Sequence, residues 1–295
     1  MRRRFAICTV LALALGACQQ DSVRLLFHSG AGQRSSLDAI VPIWEARHPG
    51  VRVDCAYKGS GYFLADIRAR QEGDLYMPGE VFYLEQAAER GYLVDYDPER
   101  DVAAYFLTVI LTARGNPAGV HGLRDFARPG VRVALGDPQA NAIGIWHQKL
   151  FRAAGIYEQV KRNAVMNAQC IPEIGNALKL GAADASIVWA ATAVLYLADC
   201  EIAALPERER GLIPLPVSVL RFSRHPRLAA DLKRFLLSEE ARALFHEHAY
   251  VVDPAQADSD VDWLIKAAAV AKNPDSPISP ATVGHLVGEV RRQRR

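Results

Sequence analysis

Between Val23 and Leu237, short apolar runs alternate with amphipathic stretches, and this rhythm restricts the fold more than any other feature of the chain. Val23–Phe27, Val51–Tyr57, Asp74–Met77, Val131–Leu135 and Ala185–Val188 have the length and apolar content of strands. Ser35–His48, Tyr62–Arg70, Val81–Arg90, Ile143–Ala154, Glu173–Leu180 and Leu228–Leu237 carry apolar residues at helical spacing. Ser35 and Ser36 are natural helix caps, and Pro49-Gly50 and Gly91 are natural stops. Such alternation predicts an α/β protein with largely parallel sheets. Two extended runs, Phe106–Thr112 and Leu212–Phe222, interrupt the rhythm and are suited to carrying the chain between lobes. A helix over Leu228–His246 then returns to the first lobe. The expected architecture is two lobes, each a mostly parallel sheet flanked by helices, with two crossing strands and a cleft. Residues 23–105 with 218–250 form lobe 1, 106–217 form lobe 2 with the crossings, and 251–295 form a C-terminal extension. A single doubly wound domain is the alternative that periodicity leaves open.

The chain begins differently. Arg2, Arg3 and Arg4 precede an apolar run from Phe5 to Leu15 that is shorter than the roughly 20 residues a bilayer span needs. Those proportions are those of a secretory signal peptide over residues 1–17. Leu15-Gly16-Ala17-Cys18 resembles a bacterial lipobox, which implies cleavage before Cys18 and a lipid on its sulfur. Residues 19–22 would then be a polar tether, and the protein would sit lipid-anchored at the periplasmic face of a membrane.

Export changes the charge and cysteine accounting. The 35 Lys and Arg stand against 33 Asp and Glu, and loss of the three leader arginines leaves 32 against 33. A near-neutral chain without a basic stripe argues against a nucleic-acid binder. Cys55, Cys170 and Cys200 remain after Cys8 and Cys18 are removed. In an oxidising compartment Cys170 and Cys200 are the more natural pair, with three buried thiols as the alternative.

Ligands in open α/β sheets bind at the carboxyl ends of strands, so the loops there matter most. Ser29-Gly30-Ala31-Gly32-Gln33-Arg34, Lys58-Gly59-Ser60-Gly61 and Gly136 to Gly144 are rich in small residues and run into helices, and a further turn surrounds Val188-Trp189-Ala190-Ala191. A helix start carries unsatisfied N–H groups and about half a positive charge, and small residues let an anion reach them. Helix starts converging on a cleft would hold a small dianion without any Lys or Arg. His246 and His248 point in different directions on a helix and make poor metal ligands. No nucleophile elbow, P-loop, His-Glu-x-x-His or paired CxxC occurs.

The order and content of these loops resemble the periplasmic molybdate-binding proteins of ABC importers, a type II solute-binding family, over about residues 23–250. The pieces that carry the resemblance are Asn116-Pro117, Pro129 to Pro138 with Ala142-Ile143-Gly144, Gly181 to Trp189, and Phe235 to Ala241. The resemblance implies a tetrahedral oxyanion, molybdate or tungstate, held by neutral donors from both lobes and delivered to a membrane permease by a monomer. No cofactor, catalytic residue or resident metal is implied. Matched motif by motif, the donors fall on Ser60 with Gly61 beside it, on Gly79, and on the amides of Ile143 and Val188. The serine of the first loop falls near Gly32, with Ser29 or Gln33 as substitutes. The tyrosine of the second crossing falls on Leu215, which has no donor, leaving Arg34, Lys58 or Tyr62 to compensate. Arg34 at a helix start could grip an oxyanion in bidentate fashion, or pair with Asp38 one turn on. Glu80 is read as the cap of the following helix. A donor-only site would reject phosphate, whose hydrogen needs an acceptor. The alternatives are another solute such as sulfate, an organic acid or ferric ion, the last using Tyr57, Tyr62, Tyr76 and Glu80, or a sensor or enzyme on the same fold.

Overall fold

The computed structural model describes residues 23–206 and 209–271; the expected signal peptide, Cys18, the expected tether, the expected loop at Asn273–Pro277 and the expected helix at Val283–Arg295 lie outside them. The first lobe opens with β1 (Val23–Gly30), a single tight turn at Ala31–Gln33, α1 (Arg34–Ala46), β2 (Val51–Lys58), α2 (Ser60–Arg70), β3 (Leu75–Met77), α3 (Val81–Glu89) and β4 (Leu93–Val94). The chain then enters the second lobe through β5 (Val102–Ala113), β6 (Val133–Gly136), α4 (Ala142–Ala153), α5 (Tyr157–Arg162), β7 (Ala164–Ala168) and α6 (Ile171–Lys179). β8 (Ala185–Trp189), α7 (Ala190–Ala193), β9 (Cys200–Ala203) and β10 (Leu212–Pro216) complete it. β11 (Ser218–Leu220), α8 (Pro226–Leu236) and α9 (Glu239–Glu247) return to the first lobe, and α10 (Ala257–Ala271) follows.

Two sheets result, in the orders β2-β1-β3-β11-β4 and β10-β5-β8-β6-β7, with β9 also on β5. Strands joined through a helix are parallel, as in β2-β1-β3 and β7-β6-β8. β5 and β11 enter from the other lobe and run antiparallel to their neighbours, so each mostly parallel sheet carries one reversed strand. Phe106–Thr112 lies inside β5, which pairs with β10, β8 and β9, so the chain is already in the second sheet there. The return passes through Val217, whose amide donates to the Asp101 carbonyl at 3.0 Å, so the two connections run side by side.

Leu37, Ile40, Val41 and Trp44 bury one face of α1, each contributing about 1.5–3 kcal/mol. Trp44 Nε1 donates to Asp231 of α8 at 2.9 Å, which ties the returning segment to lobe 1. The single helix expected over Leu228–His246 is two, because the Ser238 hydroxyl caps α9 by accepting the Ala241 amide. Cys170 and Cys200 are both thiols.

Candidate functional site

The carboxyl ends of β1, β3, β6, β7 and β8 face one another across the lobes, and a small cavity of about 20 Å³ lies between them. Its wall includes Gly30, Ala31, Gly32 and Gln33 after β1, Ser60 at the start of α2, and Gly79 after β3. From the second lobe come Asn141, Ala142 and Ile143 at the start of α4, Cys170 and Ile171 at the start of α6, with Phe106 and Trp189. None of these side chains is ionised at neutral pH; burial and the Glu173 carboxylate raise the Cys170 thiol above its ordinary pKa. A larger hollow of about 560 Å³ sits at the opposite end of β1, lined by Arg24, Glu72, Asp74 and Arg224. It lies at the amino ends of the strands, where α/β sheets do not place ligands.

The local geometry follows from the residues. Gly30 has φ −59° and ψ 143°, which any residue adopts, so its need for hydrogen is steric. A Cβ there would lie 2.6 Å from Gln33 Oε1, 3.1 Å from Gly79 N and 3.3 Å from Ser60 Oγ. Ser60 Oγ accepts the Gly79 amide at 3.0 Å, leaving its own hydrogen free to donate elsewhere. Asn141 caps α4 by accepting the Gly144 amide at 2.8 Å and donates to the Ala168 carbonyl at 2.5 Å. The amides of Ala142, Ile143 and Ile171 occupy first-turn positions without intrahelical acceptors. Phe106 and Trp189 stack with centroids 4.7 Å apart beside Gly32, whose carbonyl accepts the Tyr250 hydroxyl at 2.8 Å.

The lobes touch around this cavity. The Gly61 amide donates to the Ala140 carbonyl at 3.0 Å, and a Cβ on Gly61 would meet the Gln139 carbonyl at 2.2 Å. Tyr62 donates to Gln169 across the cleft, and Lys149 of α4 donates to Glu80 at 2.7 Å. Glu80 also accepts the Phe82 amide at 2.6 Å, so it both caps α3 and bridges the lobes.

Of the residues singled out from sequence, Gly32, Gln33, Ser60, Gly79 and Ile143 line the cavity. Gly79 spends its amide on Ser60. The others sit elsewhere. Ser29 is fully buried in β1, and Val188 is held in β8 opposite Val109, one residue short of the wall that Trp189 forms. Gly61 is an interlobe contact. Arg34 is exposed, is not among the residues that line the cavity, and stacks over Tyr57 at 4.6 Å, while Asp38 accepts from Tyr57. Lys58 pairs with Asp66 at 3.3 Å. Leu215 is buried opposite Ala104 in the β10–β5 ladder. The wall is not donor-only either, because Gln33 directs its Nε2 to the Pro78 and Met77 carbonyls and leaves Oε1 without a partner. Cys170 and Ile171 also line the cavity without a signal in the sequence, because β7, an interrupted run ending in Asn167-Ala168, does not read as a strand.

The sequence model of the bacterial extracellular solute-binding protein family matches residues 25–251. The molybdate-binding protein ModA of Mycobacterium tuberculosis H37Rv is 22% identical over 231 residues, covering 78% of this chain and 85% of the relative. Among solved structures, the sulfate-binding protein SubI from Mycobacterium tuberculosis H37Rv superposes with a TM-score of 0.73 at 17% identity, covering 82% of this chain and 91% of its own. The periplasmic molybdate-binding protein of Azotobacter vinelandii gives 0.66 at 16% identity, covering 78% and 99%. At these identities both structures bear on the fold alone.

Proposed function

The chain belongs to the bacterial extracellular solute-binding protein family, and from that membership we propose that it captures a small tetrahedral oxyanion between its lobes for an ABC importer. The observation that carries this reading is the convergence of the starts of α2, α4 and α6, with the turn before α1, on one small cavity with no ionised side chain in its wall. Helix starts and hydroxyls supply positive potential and donors while the body of the protein stays mildly acidic. Molybdate and tungstate are the members of the class that the sequence resemblance and the name of the mycobacterial relative support. Closure is a hinge about the paired connections at Asp101 and Val217. The ferric alternative loses ground because its candidate ligands are spent apart: Tyr57 on Asp38, Tyr62 on Gln169, Tyr76 on the Ser60 carbonyl and Glu80 on Lys149.

Delivery would be to a membrane permease, from a protein held at the membrane by lipid on Cys18; Cys18→Ser should abolish both acyl labelling and membrane fractionation. The capture reading is tested by calorimetric titration of the purified protein with molybdate, tungstate, sulfate and phosphate. At least one should bind, and Ser60→Ala should weaken it by about tenfold or more, the loss of one hydrogen bond to a charged ligand. Binding of none of the four, or full affinity in Ser60→Ala, refutes the reading.

A further inference from the structure

We infer that, within the oxyanion class, the site selects an anion that carries a hydrogen, of the hydrogen phosphate and hydrogen arsenate kind, and that the Gln33 carbonyl reads that hydrogen. The inference rests on the capture reading above. Gln33 is fully buried, and its side-chain amide nitrogen donates to the Pro78 carbonyl at 3.0 Å and to the Met77 carbonyl at 3.4 Å. Turning the amide over would set its oxygen against two backbone carbonyls, acceptor against acceptor, so β3 and the residue after it hold the orientation. Oε1 is thereby left with no hydrogen-bond partner among the described residues, on a side chain that lines the cavity. A fully buried amide oxygen without a donor is rare and costly, and calls for a group that arrives with the ligand.

The surroundings say what that group must be. The place that a Cβ on Gly30 would take is 2.6 Å from this oxygen and 3.3 Å from the Ser60 hydroxyl, so an acceptor and a donor flank the same glycine. An anion packed against Gly30 meets both. Sulfate, selenate, molybdate and tungstate are fully ionised at neutral pH, and each would press a lone pair against the Gln33 oxygen. Phosphate and arsenate keep at least one hydroxyl at that pH, which can donate to Gln33 while the other oxygens accept from Ser60 and the helix starts. The chemistry that satisfies Gln33 is therefore the chemistry that separates otherwise matched anions.

The test uses two pairs of anions that match in size and shape and differ in the hydrogen: phosphate against sulfate, and arsenate against selenate. Calorimetry on the purified protein at pH 7 should show the first of each pair binding at least about tenfold more tightly. Gln33→Met, similar in length and lacking the amide, should lose that preference within both pairs. The inference is overturned if sulfate or selenate binds as tightly as its partner, or if Gln33→Met keeps the wild-type preference. The anion panel on the unaltered protein decides the matter even if the variant fails to fold. Failure of all four anions and of molybdate to bind would overturn the capture reading itself, a different outcome from equal binding of matched anions.

Discussion

Gly30→Ala tests where the ligand sits. The substitution adds one methyl group at a backbone conformation, φ −59° and ψ 143°, that alanine adopts without strain. Its Cβ would meet the clamped Gln33 amide oxygen at 2.6 Å, the Gly79 amide nitrogen at 3.1 Å and the Ser60 hydroxyl at 3.3 Å. The unliganded protein should therefore lose about 1–3 kcal/mol to overpacking, offset in part by the entropic gain of about 0.4–1 kcal/mol from replacing glycine. The ligand has less latitude still, since a cavity of about 20 Å³ has little room left once a methyl group enters it. Overpacking of a tight site costs about 1–3 kcal/mol, which weakens affinity by between fivefold and 150-fold. Thermal shift reads this directly. At a ligand concentration of about 100 Kd the wild-type protein gains about 2.7 kcal/mol, a rise of roughly 5–10 °C for a domain of this size. After a hundredfold loss the same concentration equals Kd, and the gain falls to about 0.4 kcal/mol, or roughly 1 °C. A folded variant that keeps the full ligand shift would show that the anion does not pack against Gly30.

Other expectations concern the residues around the cavity. Lys149→Gln should weaken ligand affinity by about two- to fivefold, the value of a half-exposed ion pair, and high salt should produce the same loss in wild type but not in the variant; equal affinity at low salt would show that the Lys149–Glu80 bridge does not favour the closed form. His147 is fully buried between the Gly136 amide, which donates to its Nδ1, and the Ile187 carbonyl, and burial lowers its pKa from 6.5 to about 4. Its folded pKa is depressed, so the unfolded chain binds the extra proton first and stability falls as pH drops from about 6.5 towards 4, by about 3 kcal/mol in all. Urea midpoints for wild type and His147→Gln should converge across that window, and parallel curves would refute the assignment. Cys170 should alkylate slowly at neutral pH, and more slowly still with saturating anion, whereas mass spectrometry should find Cys55 and Cys200 indifferent to ligand; an unprotected Cys170 would remove it from the cavity wall.

The legible parts of the fold were those decided by neighbours in sequence. α1, α2, α3, α4 and α6 fall within a few residues of their expected limits, and each is followed within a few residues by a glycine in the left-handed region: Gly50, Gly73, Gly91, Gly155 and Gly181. Strand direction was not legible in that way. β5 is antiparallel to β8, β9 and β10 because it enters the second sheet from the first lobe, and no residue of Val102–Ala113 records that. The break between α8 and α9 hides in Leu237-Ser238-Glu239, where the apolar spacing continues smoothly and only the Ser238 cap ends one helix and starts the next.

The site shows the same division, and Gln33 shows it most sharply. A glutamine in a small-residue loop before a helix can be placed near a ligand from sequence alone, and the cavity does include it. Its side chain, however, has a donor end and an acceptor end, and nothing in residues 29–36 states which one faces inward. The choice is made 44 and 45 residues away, where the carbonyls of Met77 and Pro78 end the neighbouring strand and take the amide nitrogen. Two acceptors on one side force the acceptor to the other, so the polarity that the ligand meets is set by β3 rather than by the loop that carries the residue. The same logic moves Arg34 out of the site: the aromatic face of Tyr57 on β2 holds its guanidinium on the surface, and the cavity is left to neutral groups. If the cavity holds an anion as proposed, affinity would come from helix starts that many sequences supply. Selectivity would then hang on a single carbonyl oxygen whose direction only the assembled sheet determines.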